Sequence, residues 1–293
     1  MAESGSRIPL KSILFLTDFS KPSEVALPFA VAVARGYGAK IYALHVIAPA
    51  PHVDTTPALT AVAIESEVEN SKAAMVRVKS GLAGLWHETI VEQGSGIWPA
   101  VEQVIKDHAI DLVVLATHGR AGAEKFLLGS VAEEIFRQAN CAVMTVGPKV
   151  KGETASEVDL KNILFATDFG HGAEKAAAYA FSLAQEHAAR LTILHVIQEA
   201  TAFTEESVRR QREFTVEKMR HLVPPGAEDW CKPEFKATFG EAAEEIVTLA
   251  RETNADLIVM GAKARKSLAG HVPVTIAYNV VVKAPCPVLT VRG

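Results

Sequence analysis

Short apolar runs alternate with longer stretches of helical periodicity along the whole chain. Ser12–Thr17 is a short apolar run, and Ser23–Gly36 follows with Val25, Phe29, Ala32 and Val33 at helical spacing and a glycine stop. Lys40–Val46 reads as a second strand, residues 48–62 as a loop rich in Pro, Thr and Ala, and about Ile64 to Ser80 as a weaker helix. Thr89–Gln93 predicts a strand, Trp98–His108 a helix and Leu112–Ala116 a continuous apolar strand. A Gly-containing loop, Thr117–Gly129, leads to a helix over Val131–Gln138 and a strand over Ala142–Val146. The same plan recurs with strands near Asn162–Thr167, Leu191–Ile197, Glu234–Ala237, Leu257–Gly261 and Pro287–Val291. Alternating strands and helices imply a parallel sheet with helices on both faces, and runs such as DLVVL suit strands buried on both sides.

The recurrence is literal. Lys11–Ser20 (KSILFLTDFS) returns 150 positions later as Lys161–Gly170 (KNILFATDFG), and LHVI at 44–47 returns at 194–197. With an offset of 145, DLVVL at 111–115 matches DLIVM at 256–260, and CAVMTV at 141–146 matches CPVLTV at 286–291. A period this long indicates two whole domains rather than a solenoid. The polar link Gly147–Glu157 separates them, giving expected domains at 1–147 and 158–293.

Composition narrows the function classes. The 293 residues carry a net charge of −4, and each half carries −2 (13 basic against 15 acidic, then 17 against 19), without the basic excess of a nucleic-acid binder. No apolar run reaches the roughly 20 residues of a membrane span, and residues 1–10 lack a secretory core, so a cytoplasmic location is the default. Three cysteines argue against a disulfide framework; Cys141 and Cys286, at equivalent positions, read as small core residues.

Ligands of doubly wound sheets bind beyond the carboxyl ends of strands, where strand order reverses. Two segments lie there: Thr17-Asp18 after the first strand, and Ala116–Gly129 after the fourth. In the second, Ser130-Val-Ala-Glu133 has the form of a capping box that would start a helix at Ser130. A helix start offers unpaired N–H groups and positive potential to an anion. Gly129 would let a ligand approach the backbone, Gly119 would turn the chain off the strand, and Arg120 or His118 could meet a phosphate. The bland alternative is a surface loop with a capped helix, and Asp18 a solvated carboxylate. His45 and His195, each within LHV, read as core residues.

The chain resembles the universal stress protein family through ILFLTDFS at 13–20, LHVI at 44–47, DLVVLATHGRAG at 111–122 and LLGSVAEEIFRQANCAVMTV at 127–146. The resemblance implies two tandem, doubly wound, five-stranded parallel-sheet domains of the adenine nucleotide α-hydrolase-like, Rossmann-like type. ATP-binding members carry G-x2-G-x9-G-(S/T); here Ala116 replaces the first glycine, and Gly119, Gly129 and Ser130 complete the motif. By resemblance, Asp18 would bond the adenosine, Val46 would meet the adenine, and Gly119, Gly129, Ser130 and the Val131 N–H would hold ribose and phosphates, with magnesium on the phosphates.

In the second half Ala264 stands for Gly119 and Val274 for Gly129, so that phosphate path is expected to be impaired; Lys263, Arg265 and Lys266 retain positive charge. The leading expectation is an ATP-binding stress-response protein acting through a protein partner. A nucleotide-free oligomeric scaffold and an adenylating or slowly ATP-hydrolysing enzyme are the alternatives. The resemblance also implies homodimers, and antiparallel pairing of the last strands, which would bury Val143, Met144, Val288 and Leu289 and bring Thr145 near Thr290.

Overall fold

The computed structural model of the chain describes residues 7–48, 57–119, 128–150, 158–170, 172–198, 204–262 and 275–293. Arg120, Lys263–Lys266 and Pro273-Val274 lie outside these residues, as does most of the link. The first half runs β1 (Ser12–Leu16), α1 (Lys21–Tyr37), β2 (Lys40–Ile47), α2 (Pro57–Gly81), β3 (His87–Gln93), α3 (Ile97–Asp107), β4 (Leu112–Ala116), α4 (Ser130–Gln138) and β5 (Ala142–Val146). The second runs β6 (Asn162–Ala166), α5 (Ala173–His187), β7 (Arg190–Ile197), α6 (Glu205–Arg220), β8 (Glu234–Phe239), α7 (Ala242–Glu252), β9 (Leu257–Ala262), α8 (Ile276–Lys283) and β10 (Val288–Arg292).

Two expected helix bounds need correction. The first helix passes through Gly36 and stops at Gly38, whose φ of 67° ends it in the left-handed conformation. Gly36 serves packing instead: a β-carbon there would lie 3.2 Å from Nε2 of His187. The second helix begins at Pro57, inside the stretch read as loop. Proline at a first helical position presets φ and lacks only an N–H that would be unpaired anyway.

The strands form one ten-stranded sheet in the order β3-β2-β1-β4-β5-β10-β9-β6-β7-β8. Every described pairing is parallel except β5–β10, where Val143, Met144 and Thr145 face Thr290, Leu289 and Val288 in antiparallel register. Met144 and Leu289 are equivalent positions of the repeat and face each other, so a pseudo-twofold axis passes between them. Apolar residues of both halves with α1, α2, α5 and α6 form one core layer, and those with α3, α4, α7 and α8 the other. The axis therefore stands perpendicular to the sheet, and the carboxyl edges of the two halves point in opposite directions. The carboxylates of Asp111 and Asp256 have matching duties at the amino edges. Asp111 Oδ2 accepts from the N–H groups of Lys11 (2.7 Å) and Ser12 (3.0 Å), and Asp256 Oδ2 from those of Lys161 (2.9 Å) and Asn162 (2.8 Å).

Val143, Met144, Val288 and Leu289 are all buried, as the pairing expectation requires. The Thr145 hydroxyl donates to Val288 O (3.2 Å) and that of Thr290 to Val143 O (3.1 Å), so each threonine ties its own strand to the other. On the α1/α5 face Tyr37 Oη and Ser182 Oγ are 2.7 Å apart, Ile8 N–H donates to Ser182 Oγ (3.0 Å), and Arg7 pairs with Glu186 at 2.9 Å. Burying each seam side chain contributes on the order of 1.5–3 kcal/mol, against about 0–1 kcal/mol for a surface ion pair such as Arg7–Glu186. The seam is held chiefly by apolar burial.

The register corrects the expected proximity of Thr145 and Thr290, because Thr145 faces Val288 and Thr290 faces Val143. In a background lacking Cys141, Cys231 and Cys286, the combination Met144→Cys with Leu289→Cys should crosslink within one chain under mild oxidation. Electrophoresis without reductant should show a faster monomer band; crosslinking only between chains would contradict the seam.

The His187 ring lies in the same junction, against Gly36. Its Nε2 is buried without a hydrogen-bond partner among the described residues, and burial lowers the pKa of the ring below the ordinary histidine value. The unfolded chain therefore binds the proton more readily. Stability from this group is complete above about pH 6.5 and is lost as pH falls through the unfolded pKa toward the lower folded one. Thermal melts from pH 8 to pH 5 should show a drop that is shallower in His187→Gln.

Candidate functional site

β1 lies between β2 and β4, so the chain leaves it to opposite sides, and a crevice opens at the carboxyl ends of β1 and β4. A tight turn follows β1. The Thr17 N–H donates to Leu44 O (3.0 Å), and its hydroxyl accepts the Phe19 N–H (3.0 Å) and lies 3.1 Å from Ser23 Oγ. Phe19 has φ 60°, unfavourable for a bulky residue, and its ring packs 4.4 Å from that of His45. His45 is buried, and its Nδ1 donates to Thr17 O at 2.8 Å. The imidazole thus holds both sides of the turn, and the turn fixes Asp18. Ser20 donates through its N–H (3.0 Å) and its hydroxyl to Asp18 Oδ1.

Asp18 meets the second segment directly. A β-carbon built on Gly119 would lie 2.5 Å from Asp18 Oδ2. Gly119 is therefore needed for space; its φ is not in the positive range, so the expected sharp turn is not its role. Gly129 likewise has an ordinary φ of −60°, and a β-carbon there would come within 3.0 Å of Thr117 O, which accepts the Gly129 N–H at 2.8 Å. The two glycines bring the ends of β1, β4 and α4 into contact.

The capping box does not form. Gly129 is the N-cap of α4, with no side-chain cap, and its carbonyl already accepts the Glu133 N–H at 2.8 Å. Ser130 is consequently the first helical residue, and it is exposed. Its N–H and that of Val131 belong to a first turn without intrahelical acceptors. The equivalent Thr275 in the second half is a true N-cap, accepting the Tyr278 N–H at 3.1 Å.

Ala116 ends β4 in regular register opposite Val146, without positive φ, and packs with the core layer of α1 rather than that of α4. The backbone at this position does not require glycine. Val46, at the end of β2, is half-buried beside the crevice. His118 Nδ1 lies 2.8 Å from Thr117 Oγ1, while its Nε2 is buried with no partner among the described residues. First-turn amides without intrahelical acceptors and the His118 Nε2 suit an anionic group, and the Asp18 carboxylate on bare Gly119 suits a hydroxyl or N–H donor.

Sequence reasoning missed Thr117 and the turn-forming part of His45. Thr117 is buried and its hydroxyl also reaches Val146 O at 3.3 Å; the second half has Ala262 there, a difference visible on alignment of the halves. The histidine signal was the joint repetition of TDF and LHV at one offset, since Phe169 (φ 56°), His195 and Thr167 O rebuild the arrangement with 4.5 Å between rings and a 2.8 Å bond. Burial pushes the thiols up, Cys141 to about 11 and Cys286 to about 12, which disfavours the reactive thiolate. A cavity of about 660 Å³ bordered by Arg190, Thr192, Trp230, Glu234 and Asn254 lies at the amino ends of β6–β8, the wrong edge for this kind of site.

The profile of the universal stress protein family matches residues 9–147 and again 159–292. The chain belongs to the universal stress protein family. A universal stress protein of Methanocaldococcus jannaschii is 36% identical over 141 residues, covering 46% of this chain and 81% of its own length. One from Thermus aquaticus is also 36% identical over 141 residues, covering 45% of this chain and 98% of itself. A solved universal stress protein of Archaeoglobus fulgidus shares the tandem fold over 97% of this chain and 99% of its own, with 20% identity and a TM-score of 0.68.

Within this universal stress protein the halves differ where the first depends on absent side chains. Gly119→Ala, which copies Ala264, should leave the melting temperature nearly unchanged and rotate Asp18 away. Loss of a charged hydrogen bond of about 1.5–3 kcal/mol should then weaken any ligand that Asp18 holds roughly tenfold to hundredfold by calorimetry.

Proposed function

We propose that the first half of the chain, within expected domain bounds 1–147, binds ATP, and that the protein acts as a stress-response regulator that holds the nucleotide rather than turning it over. The supporting observation is the meeting of Asp18 with Gly119 beside the open first turn of α4. In this reading Asp18 bonds the sugar or base, Val46 borders the adenine, and Gly129 with the amides of Ser130 and Val131 receives the phosphates, joined by His118 and Arg120. Magnesium would ride on the phosphates: among the described residues no group of three His, Cys, Asp or Glu side chains is placed to hold a metal. His118 is held through its Nδ1 by the Thr117 hydroxyl, which leaves Nε2 to face a phosphate. A cytoplasmic setting, a protein partner and a homodimer of the tandem chain belong to the same proposal; no helix among the described residues is long and apolar enough to cross a membrane.

The second half, 158–293, keeps Asp168, which accepts the Gly170 N–H at 2.8 Å as Asp18 accepts that of Ser20, but it has Ala264 and Val274 in place of Gly119 and Gly129. It is proposed not to hold a triphosphate. Calorimetry with magnesium and ATP should therefore give about one site per chain, lost in Gly129→Val. Two equivalent sites, or unchanged binding in that variant, would refute the assignment. Absence of any binding would favour the scaffold reading, which the continuous ten-stranded sheet supports.

A further inference from the structure

The phosphate-loop backbone of the first half is pinned twice just before α4, and one pin comes from the other half. Gly129 N–H donates to Thr117 O within its own half, and the N–H of buried Leu128, one residue earlier, donates to Tyr278 Oη at 3.3 Å. Tyr278 stands in the first turn of α8, whose N-cap Thr275 receives the Tyr278 N–H. The side chain is thus carried by a capped helix and packed against the α4/α8 core layer.

The contact cannot be mirrored. The residue equivalent to Tyr278 is Glu133, and the residue equivalent to Leu128 is Pro273, which has no N–H to donate. The duplicated chain has therefore acquired a one-way contact toward the half that retains the glycines. We infer that Tyr278 is a positioning residue for the first half's anion site: by holding the Leu128 peptide, it sets the orientation of the following Gly129–Val131 backbone. The inference rests on the nucleotide reading above, and it assigns the second half a part in it. A buried N–H left without a partner would let the segment shift, so the effect should fall on phosphate recognition and spare the contacts of Asp18 and Val46.

Tyr278→Phe in the full chain removes only the hydroxyl. ATP affinity should fall about fivefold, the scale of one neutral hydrogen bond, while adenosine affinity stays within twofold of the wild-type value. The Leu128 amide should exchange faster with deuterium, with the melting temperature close to wild type. Equal loss for ATP and adenosine, or an ATP affinity unchanged by the substitution, would overturn the positioning role while leaving the nucleotide reading in place. A wild-type chain that binds no ATP would overturn both, and the exchange rate at Leu128 would then report only on the contact. If the variant melts well below wild type, the ATP-to-adenosine ratio is read at a temperature where it stays folded; a ratio equal to the wild-type one counts against the inference.

Discussion

The antiparallel pairing of β5 with β10 governs everything else in this molecule. A five-stranded half on its own would end in an apolar strand with unpaired N–H and C=O groups, a template for association. Placing the two last strands against each other satisfies both edges and buries Met144 on Leu289 at the pseudo-dyad. The three-layer architecture, the shared cores and the opposed carboxyl edges follow from this one junction.

The site depends on close approach. Three chain segments converge at the switch point because two residues lack a β-carbon and one strained turn is buttressed by an imidazole. Conformational freedom, the usual reason for glycine, plays no part at Gly119 or Gly129, where the backbone angles are ordinary. The Ala116 methyl enters the core layer on the opposite side of the sheet from α4, away from this convergence. The second half keeps the aspartate, the histidine and the turn. Its Asp168 accepts the Gly170 N–H as Asp18 accepts that of Ser20, but Gly170 has no hydroxyl to add the second bond that Ser20 gives.

Much of this was legible in the sequence. The strands were placed to within one or two residues because buried parallel strands are continuous apolar runs bounded by polar turns. The repeat disclosed the duplication, and the end of the first apolar run placed Asp18 at a strand's carboxyl end. What escaped has physical causes. Pro57 opens a helix in a stretch whose composition resembles a loop, and the choice between Gly36 and Gly38 as terminator depends on which one turns left-handed. The sequence of Ser130–Glu133 satisfies a capping box, yet the hydrogen bond from Glu133 to Gly129 O moves the cap back by one residue. Register across the seam depends on which residue sits on the dyad, and periodicity within a strand carries no such information.

The single covalent chain changes what substitution can do at the dyad. In a dimer of identical subunits every change appears twice, and a residue that suits one side of the axis must be tolerated on the other. Here Tyr278 could arise opposite Leu128 while Glu133 and Pro273 went their own way. Fusion therefore released the two sides from a shared constraint. One half can then change its loop sequence while the strands and side chains it presents to its neighbour are selected separately. The asymmetry between the loops then reads as division of labour within a folded unit.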